Sequence, residues 1–281
     1  MSIRIITDAA ADLTPDERLA HHIDVVALQV LFGEETFLAG ETLDRDVFWS
    51  RLTAGESPTT SQPSPDMFLR LFNDARDAGD DVVYVAVSSA LSGTMQSAMI
   101  AASMSEYDRI HIVDSRSVSI GQKLLVFAAC RMRDDGFSAE QIVASLESLR
   151  TRVRVFATVD TLEYLARGGR ISKAAASIGT LAQLKPQITI NAEGAVEIFS
   201  KAIGRHRAIE SLVKKIASFE IDRDHPVLPV YSCSADNADA FMRRLIKEGV
   251  TCDARHLTDL GPALGTHVGP SAFGAAFIAK S

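Results

Sequence analysis

The sequence predicts an α/β protein: a mainly parallel sheet with helices on both faces in the first half, and a mixed sheet in the second. Three observations predict it. Short runs rich in valine and isoleucine alternate with longer segments whose apolar residues recur at helical spacing. Cap signatures open several of the longer segments, at Thr14, Ser64 and Ser138. In the second half, Asn191-Ala192-Glu193-Gly194 separates two strand-like runs, as a β-hairpin requires.

The elements follow in order. Ile3 to Ile6 reads as a strand. Thr14-Pro15-Asp16-Glu17 opens a helix, with Thr14 as N-cap, Pro15 at the first helical position and Glu17 closing a capping box. Asp24 to Phe32 is one apolar run of strand composition. Asp44 to Leu52 is a helix expected to send Val47, Phe48 and Leu52 into a core. Ser64-Pro65-Asp66 starts the next helix, whose Phe68, Leu71, Phe72 and Ala75 share a face. Val82 to Val87 is too short for a helix and rich in valine, which suits a buried parallel strand. A helix (94–103), a strand (110–113), a helix (120–133) and a helix opened by the Ser138/Gln141 box complete this half.

The second half begins near Val153 with a strand to Val159. A helical segment carrying Leu162, Tyr164 and Leu165 stops at Gly168-Gly169. The hairpin runs 186–190 and 195–200. Helices near 205–219 and 235–248 flank a strand at 227–231, and 273–279 is a final apolar run. Two domains are expected, 1–152 and 153–281.

Bulk properties exclude several classes. The 281 residues are 47% hydrophobic and 23% charged, an ordinary globular composition. A net charge of −7 argues against a nucleic-acid binder, and Arg150, Arg152 and Arg154 form only a short basic cluster at a strand start. Three scattered cysteines make no disulfide framework. Met1 to Asp8 turns acidic too early for a signal peptide, and no apolar run is long enough to span a bilayer, so a cytoplasmic protein without membrane insertion is expected. No nucleophile elbow, phosphate loop, dinucleotide fingerprint or zinc-ligand spacing occurs, and no cofactor or metal is expected.

Two hydroxyl-rich loops remain. One is Pro58-Thr59-Thr60-Ser61-Gln62-Pro63-Ser64. The other, Ser88-Ser89-Ala90-Leu91-Ser92-Gly93-Thr94, follows the buried strand and so lies at the carboxyl edge of the sheet, where open α/β sheets bind ligands. Hydroxyls and helix-start N–H groups suit an anion without a fixed counter-charge, and Gly93 permits close approach. Ser64 reads as a cap; the other hydroxyls read either as turn formers or as a binding set. His267, within Gly265 to Ser271, sits in an expected late loop, as a carboxylate donor or a turn residue. Arg170 after Gly168-Gly169 either meets a phosphate or an acidic partner or belongs to a helix end.

In this order the segments resemble the DegV family: Thr7-Asp8 with Asp12-Leu13, PTTSQPS at 58–64, SSALSGT at 88–94, Val113-Asp114-Ser115, DTLEYLARGGRI at 160–171, Leu184-Lys185-Pro186 and GTHVGP at 265–270. The resemblance spans nearly the whole chain. It implies two α/β domains with a lipid tunnel between them, and similarity to the fatty-acid-binding subunit of bacterial fatty acid kinase. Such a carrier presents a long-chain fatty acid to a separate ATP-dependent kinase subunit, which forms acyl phosphate for phospholipid synthesis. By motif position, Thr60 or Ser61, Ser92, the Gly93 N–H and His267 would hold the carboxylate, with Thr94 beside them. Arg170 and Arg205 would face the kinase or the transferred phosphate. The chain has Ala9 where the family usually has serine, and Ile203 where an arginine is expected.

Burying a tail of about sixteen carbons at roughly 0.8 kcal/mol per CH₂ gives on the order of 10 kcal/mol gross, enough for a carrier with no catalytic group of its own. Two other readings stand beside it. One is a phosphotransferase or hydrolase using Ser92 with His267 and Asp8 or Asp114. The other is a lipid-binding regulator that never meets a kinase, to which Ile203 lends weight.

Overall fold

The computed structural model describes residues 2–172, 183–252 and 254–280. Its first sheet joins β1 (Ile3–Asp8), β2 (Ile23–Val26), β6 (Asp81–Ala86) and β7 (Ile110–Asp114) in the order β2-β1-β6-β7. Every pairing in it is parallel. The valine run of β6 is apolar on both faces because both faces are covered. Helices α3 (Pro65–Ala78) and α4 (Thr94–Ser105) bury Phe68, Phe72 and Ala98 against Tyr84. Helices α5 (Ile120–Asp134) and α6 (Ala139–Leu149) bury Leu124, Leu125, Ile142 and Leu146 against Val83 and Val85.

Two of the three cap signatures form in full. Thr14, before α1 (Pro15–Ala20), and Ser138, before α6, each close a capping box with Glu17 and Gln141. Ser64 occupies the N-cap position of α3, but its side chain makes no cap hydrogen bond. Thr14→Ala is therefore expected to cost about 1 kcal/mol in urea unfolding, while Ser64→Ala stays near neutral. Equal losses at both positions would contradict the assignment.

Three sequence expectations need correction here. The run from Asp24 to Phe32 is two strands in different sheets. β2 stays beside β1; the chain leaves that sheet at Ala27-Leu28, and β3 (Gln29–Phe32) folds back on β4 (Glu35–Leu38) through a turn with Gly33 at φ +59°. The expected loop at Thr59–Ser61 is the third strand of that small antiparallel sheet, β5, in the order β4-β3-β5. In α2 (Arg45–Thr53), Phe48, Trp49 and Leu52 define the buried face. Val47 lies off that stripe and is 51% exposed.

The second sheet holds β8 (Val153–Thr158), β9 (Leu184–Ile190), β10 (Val196–Ile203), β11 (Leu228–Tyr231), β12 (Thr258–Asp259) and β13 (Phe273–Ile278). Its order is β10-β9-β8-β13-β11-β12, antiparallel except for β11 with β12. The hairpin read from the sequence is β9–β10. Helices α8 (Arg205–Ala217) and α9 (Asp236–Lys247) cover one face through Leu212, Ile216, Phe241 and Leu245, packed with Phe156 and Phe277. The other face turns toward the first half, and one core cluster contains Ile5 and Leu124 together with Val230 and Ala276.

Between β8 and β9 stands the short helix α7 (Glu163–Arg167). Between β12 and β13 stands α10 (Pro262–Val268), which takes residues 265–268 out of the late loop expected at 265–271 and leaves 269–271 as the turn into β13. The Gly-Thr pair there looks like turn chemistry, but Pro262 at the helix start and close packing on both sides hold it helical. α10 packs on α2, α7, β3 and β5. A Cβ at Gly265 would stand 2.5 Å from the Phe48 ring and 2.8 Å from Trp49, so only glycine lets α10 approach α2 this closely. Among the described residues, no helix is long and apolar enough to cross a membrane.

Candidate functional site

An apolar cavity of about 990 Å³, counting its open mouth, lies between the two halves. One wall is the part of the second sheet's inner face that α5 leaves uncovered. Ile188, Ala157, Gly274 and Val230 stand in a single register row across β9, β8, β13 and β11. At the usual strand spacing this row is about 14 Å long. α10 lies over it and contributes Ala263, Leu264, His267 and Val268 to the lining.

Polar groups are few. Thr60, Ser92, Arg170 and His267 line the cavity, as do Tyr231, Thr189 and Ser119. The hydroxyls of Ser119 and Thr189 bond away from the cavity, Ser119 to Asp12 at 2.6 Å and Thr189 to the Val155 carbonyl at 2.8 Å. β5 turns Thr60 inward, where its Oγ1 lies 2.7 Å from His267 Nε2. A proton on Nε2 makes the ring the donor and frees the Thr60 hydroxyl hydrogen for an acceptor in the cavity; a proton on Nδ1 reverses the bond. Ser92 Oγ shares a 2.7 Å hydrogen bond with Thr94 Oγ1.

Burial pushes His267 down to about 4, and the nearby positive charge of Arg170 adds to it. The ring is therefore neutral at neutral pH and can offer one donor without a counter-ion. Since the folded value lies below that of an unfolded histidine, the unfolded chain takes the proton first as pH falls. Stability is lost progressively between about pH 6.5 and 4, and the gap is worth about 3 kcal/mol. His267→Gln should flatten that part of the acid-unfolding curve and leave stability above pH 7 unchanged in slope. An unaltered acid limb would contradict this.

Arg170 is half-buried, which lowers its pKa. Its Nε donates to the Leu91 carbonyl at 3.1 Å and its Nη1 to the Gly168 carbonyl, so the guanidinium is tied to the loop that carries Ser92.

The remaining expected site residues fall elsewhere. Ser61 points away from Thr60 along β5 and makes only a long contact with the Gln62 carbonyl. Gly93 and Thr94 start α4 behind Ser92; a Cβ at Gly93 would meet the Gln62 amide at 1.9 Å, so this glycine makes room for Gln62. Arg205 is exposed at the start of α8, and Ile203 is 59% exposed at the end of β10. Of the second hydroxyl loop, Ser88 Oγ donates to the Gly194 carbonyl at the hairpin tip and Ser89 Oγ to Asp114. Those two build the loop rather than face the cavity.

The relay needed for a Ser92/His267 enzyme is not assembled. His267 bonds Thr60 and Ser92 bonds Thr94. Asp8 accepts from Tyr84, the Val87 N–H and the Ala10 N–H, and Asp114 from Ser89 and Arg116. The basic cluster is likewise engaged internally: Arg150 with the Asp114 carbonyl, Arg152 with Asp222 and Arg154 with backbone carbonyls. Sequence reading missed most of the apolar lining, because cavity wall and solid core use the same residues. It also missed Gly168, whose absent Cβ leaves room for the His267 ring.

A family model described as an uncharacterised protein of the DegV family matches residues 2–280. A DegV domain-containing protein of Lactococcus lactis is 34% identical, covering 96% of this chain and 95% of its own length. One from Caldanaerobacter subterraneus is 31% identical and covers 99% of each. Among solved structures, a DegV family protein of Thermus thermophilus described by its fatty acid binding superposes with a TM-score of 0.89 at 32% identity, over 100% of both chains. A stearic-acid-binding protein of Eubacterium ventriosum superposes at 0.90 with 27% identity, over 100% of this chain and 99% of its own. The fold, the motif order and these full-length matches agree: the chain belongs to the DegV family.

Proposed function

We propose that this protein binds one long-chain fatty acid between residues 1–152 and 153–281, and holds its carboxylate at Thr60, Ser92 and His267. The observation that carries the reading is an apolar cavity whose polar lining includes a neutral histidine bonded to Thr60, the Ser92 hydroxyl and one half-buried arginine. The tail gains from burial along the register row. The head finds donors that avoid leaving a carboxylate unsatisfied out of water. The fatty acids bound by the Thermus and Eubacterium relatives support the same ligand class.

The finer part of the proposal is that the bound acid is presented to a separate ATP-dependent kinase subunit, with acyl phosphate as the product. Arg170 supports it, as a cation that lines the cavity beside His267. Arg205 would then belong to the docking surface. Mass spectrometry of an organic extract from protein purified without added lipid tests the first part. A stoichiometric C14 to C18 acid, reduced in Ser92→Ala and His267→Ala, is expected. An empty extract with no uptake of added fatty acid would remove it. ATP-dependent acyl phosphate formation with a kinase subunit tests the second; its failure with lipid-loaded protein would favour a regulator without a kinase, as the exposed Ile203 suggests.

A further inference from the structure

α7 and α10 meet by exchanging rings for glycines. Tyr164 and Gly168 lie one helical turn apart on the same face of α7, and the Gly168 N–H donates to the Tyr164 carbonyl at 3.0 Å. The Tyr164 ring covers Gly269, the residue after α10, where a Cβ would stand 2.3 Å from the ring. The His267 ring, from the last turn of α10, covers Gly168 in return. A Cβ there would stand 2.1 Å from Nδ1 and 2.7 Å from Cε1.

The two glycines differ in why they are glycine. Gly269 has φ +74°, so its backbone alone excludes most residues. Gly168 has φ −72° and ψ −9°, ordinary right-handed helical geometry that alanine adopts with better propensity. Nothing in its backbone asks for glycine; the His267 ring does. The ring is pinned on its other side by the Thr60 bond at Nε2, while Nδ1, facing Gly168, is buried with no hydrogen-bond partner among the described residues. With one edge bonded and the other against a bare Cα, the ring has no room to shift away from an added methyl and keep its contact with Thr60.

We propose that Gly168 is a positioning residue for the ligand head group: its missing side chain sets the place of the His267 imidazole and hence the His267–Thr60 donor pair. The inference rests on the reading of His267 as a carboxylate-holding residue. Gly168 itself touches no ligand and acts through the ring.

The test is a double-mutant cycle on the full chain, with fatty acid affinity measured by displacement of a fluorescent fatty acid. Gly168→Ala should weaken binding at least about tenfold, to the level of His267→Ala. In the His267→Ala background, where no ring remains to strike, Gly168→Ala should change affinity less than about twofold. Thermal unfolding of each variant checks that the fold survives. A side-chain NMR titration reads the ring directly: Gly168→Ala should move the His267 midpoint upward from about 4, toward that of a more solvated imidazole. Additive losses in the cycle would overturn the proposal and leave the carboxylate reading intact. Unchanged affinity in His267→Ala would remove the carboxylate reading; the titration then decides whether Gly168 places the ring, and an unmoved midpoint would end that claim as well.

Discussion

Glu17→Ala is expected to destabilise the protein by about 3 kcal/mol, far more than an exposed helix-start residue ordinarily costs. Glu17 closes the Thr14 capping box, and it also bonds Lys123 Nζ at 2.9 and 3.3 Å. Lys123 is 1% exposed and has one further partner, Thr258 Oγ1 at 3.1 Å. Burial lowers its pKa and Glu17 holds it up. Removing one partner of a buried pair leaves an uncompensated charge, worth roughly 3–5 kcal/mol. The Glu17 side chain stays 21% exposed, and water entering there trims the loss toward the lower end. In a Lys123→Met background, Glu17→Ala should cost only the cap, about 1 kcal/mol. Urea unfolding of the four proteins decides it; the same loss in both backgrounds would mean the ion pair contributes nothing.

Ala157→Phe is the second large effect, and it falls on binding. Ala157 sits inside the register row that floors the cavity, flanked by Ile188 and Gly274. A ring there projects into empty space, so the fold should tolerate it. If the ring denies contact to about four methylenes, at roughly 0.8 kcal/mol each, a C18 acid loses about 3 kcal/mol, or on the order of a hundredfold in affinity. A C10 acid, with less tail to displace, should lose far less. A displacement assay across chain lengths reads the difference. Equal losses for C10 and C18 would place the tail elsewhere.

The layered α/β fold was legible because each parallel strand and its flanking helix kept one period, and because the caps at Thr14 and Ser138 are local chemistry. What failed was also physical. The break at Ala27-Leu28 carries no turn residue, so one apolar run hid two strands. α10 contains Gly265 and a threonine, both loop-like in isolation, and is helical only because Phe48, Trp49 and α7 close around it. Of the cavity's lining, Thr60, Ser92, Arg170 and His267 were legible by motif position in the family resemblance, while the cavity was not. Val155, Ala157 and Ile188 look like core, and only the sheet register shows that they face a space. The hydroxyls of Ser88 and Ser89 resemble ligand donors in sequence and turn out to fasten a loop.

The glycine contact between α10 and α2 has a bearing on how the molecule is made. Trp49 is the protein's single tryptophan, and it is covered by a helix about two hundred residues further along the chain. At ordinary translation speeds, on the order of ten to forty seconds separate the emergence of the two. A first half folded during that interval would leave Phe48 and Trp49 without the cover that α10 gives them in the finished protein. Such surface is sticky while it waits, and the closing contact is long in sequence and so slow to form. In refolding, Trp49 fluorescence should therefore lag the far-ultraviolet signal of the helices, reporting the docking of α10 as the step that closes the cavity between the two halves.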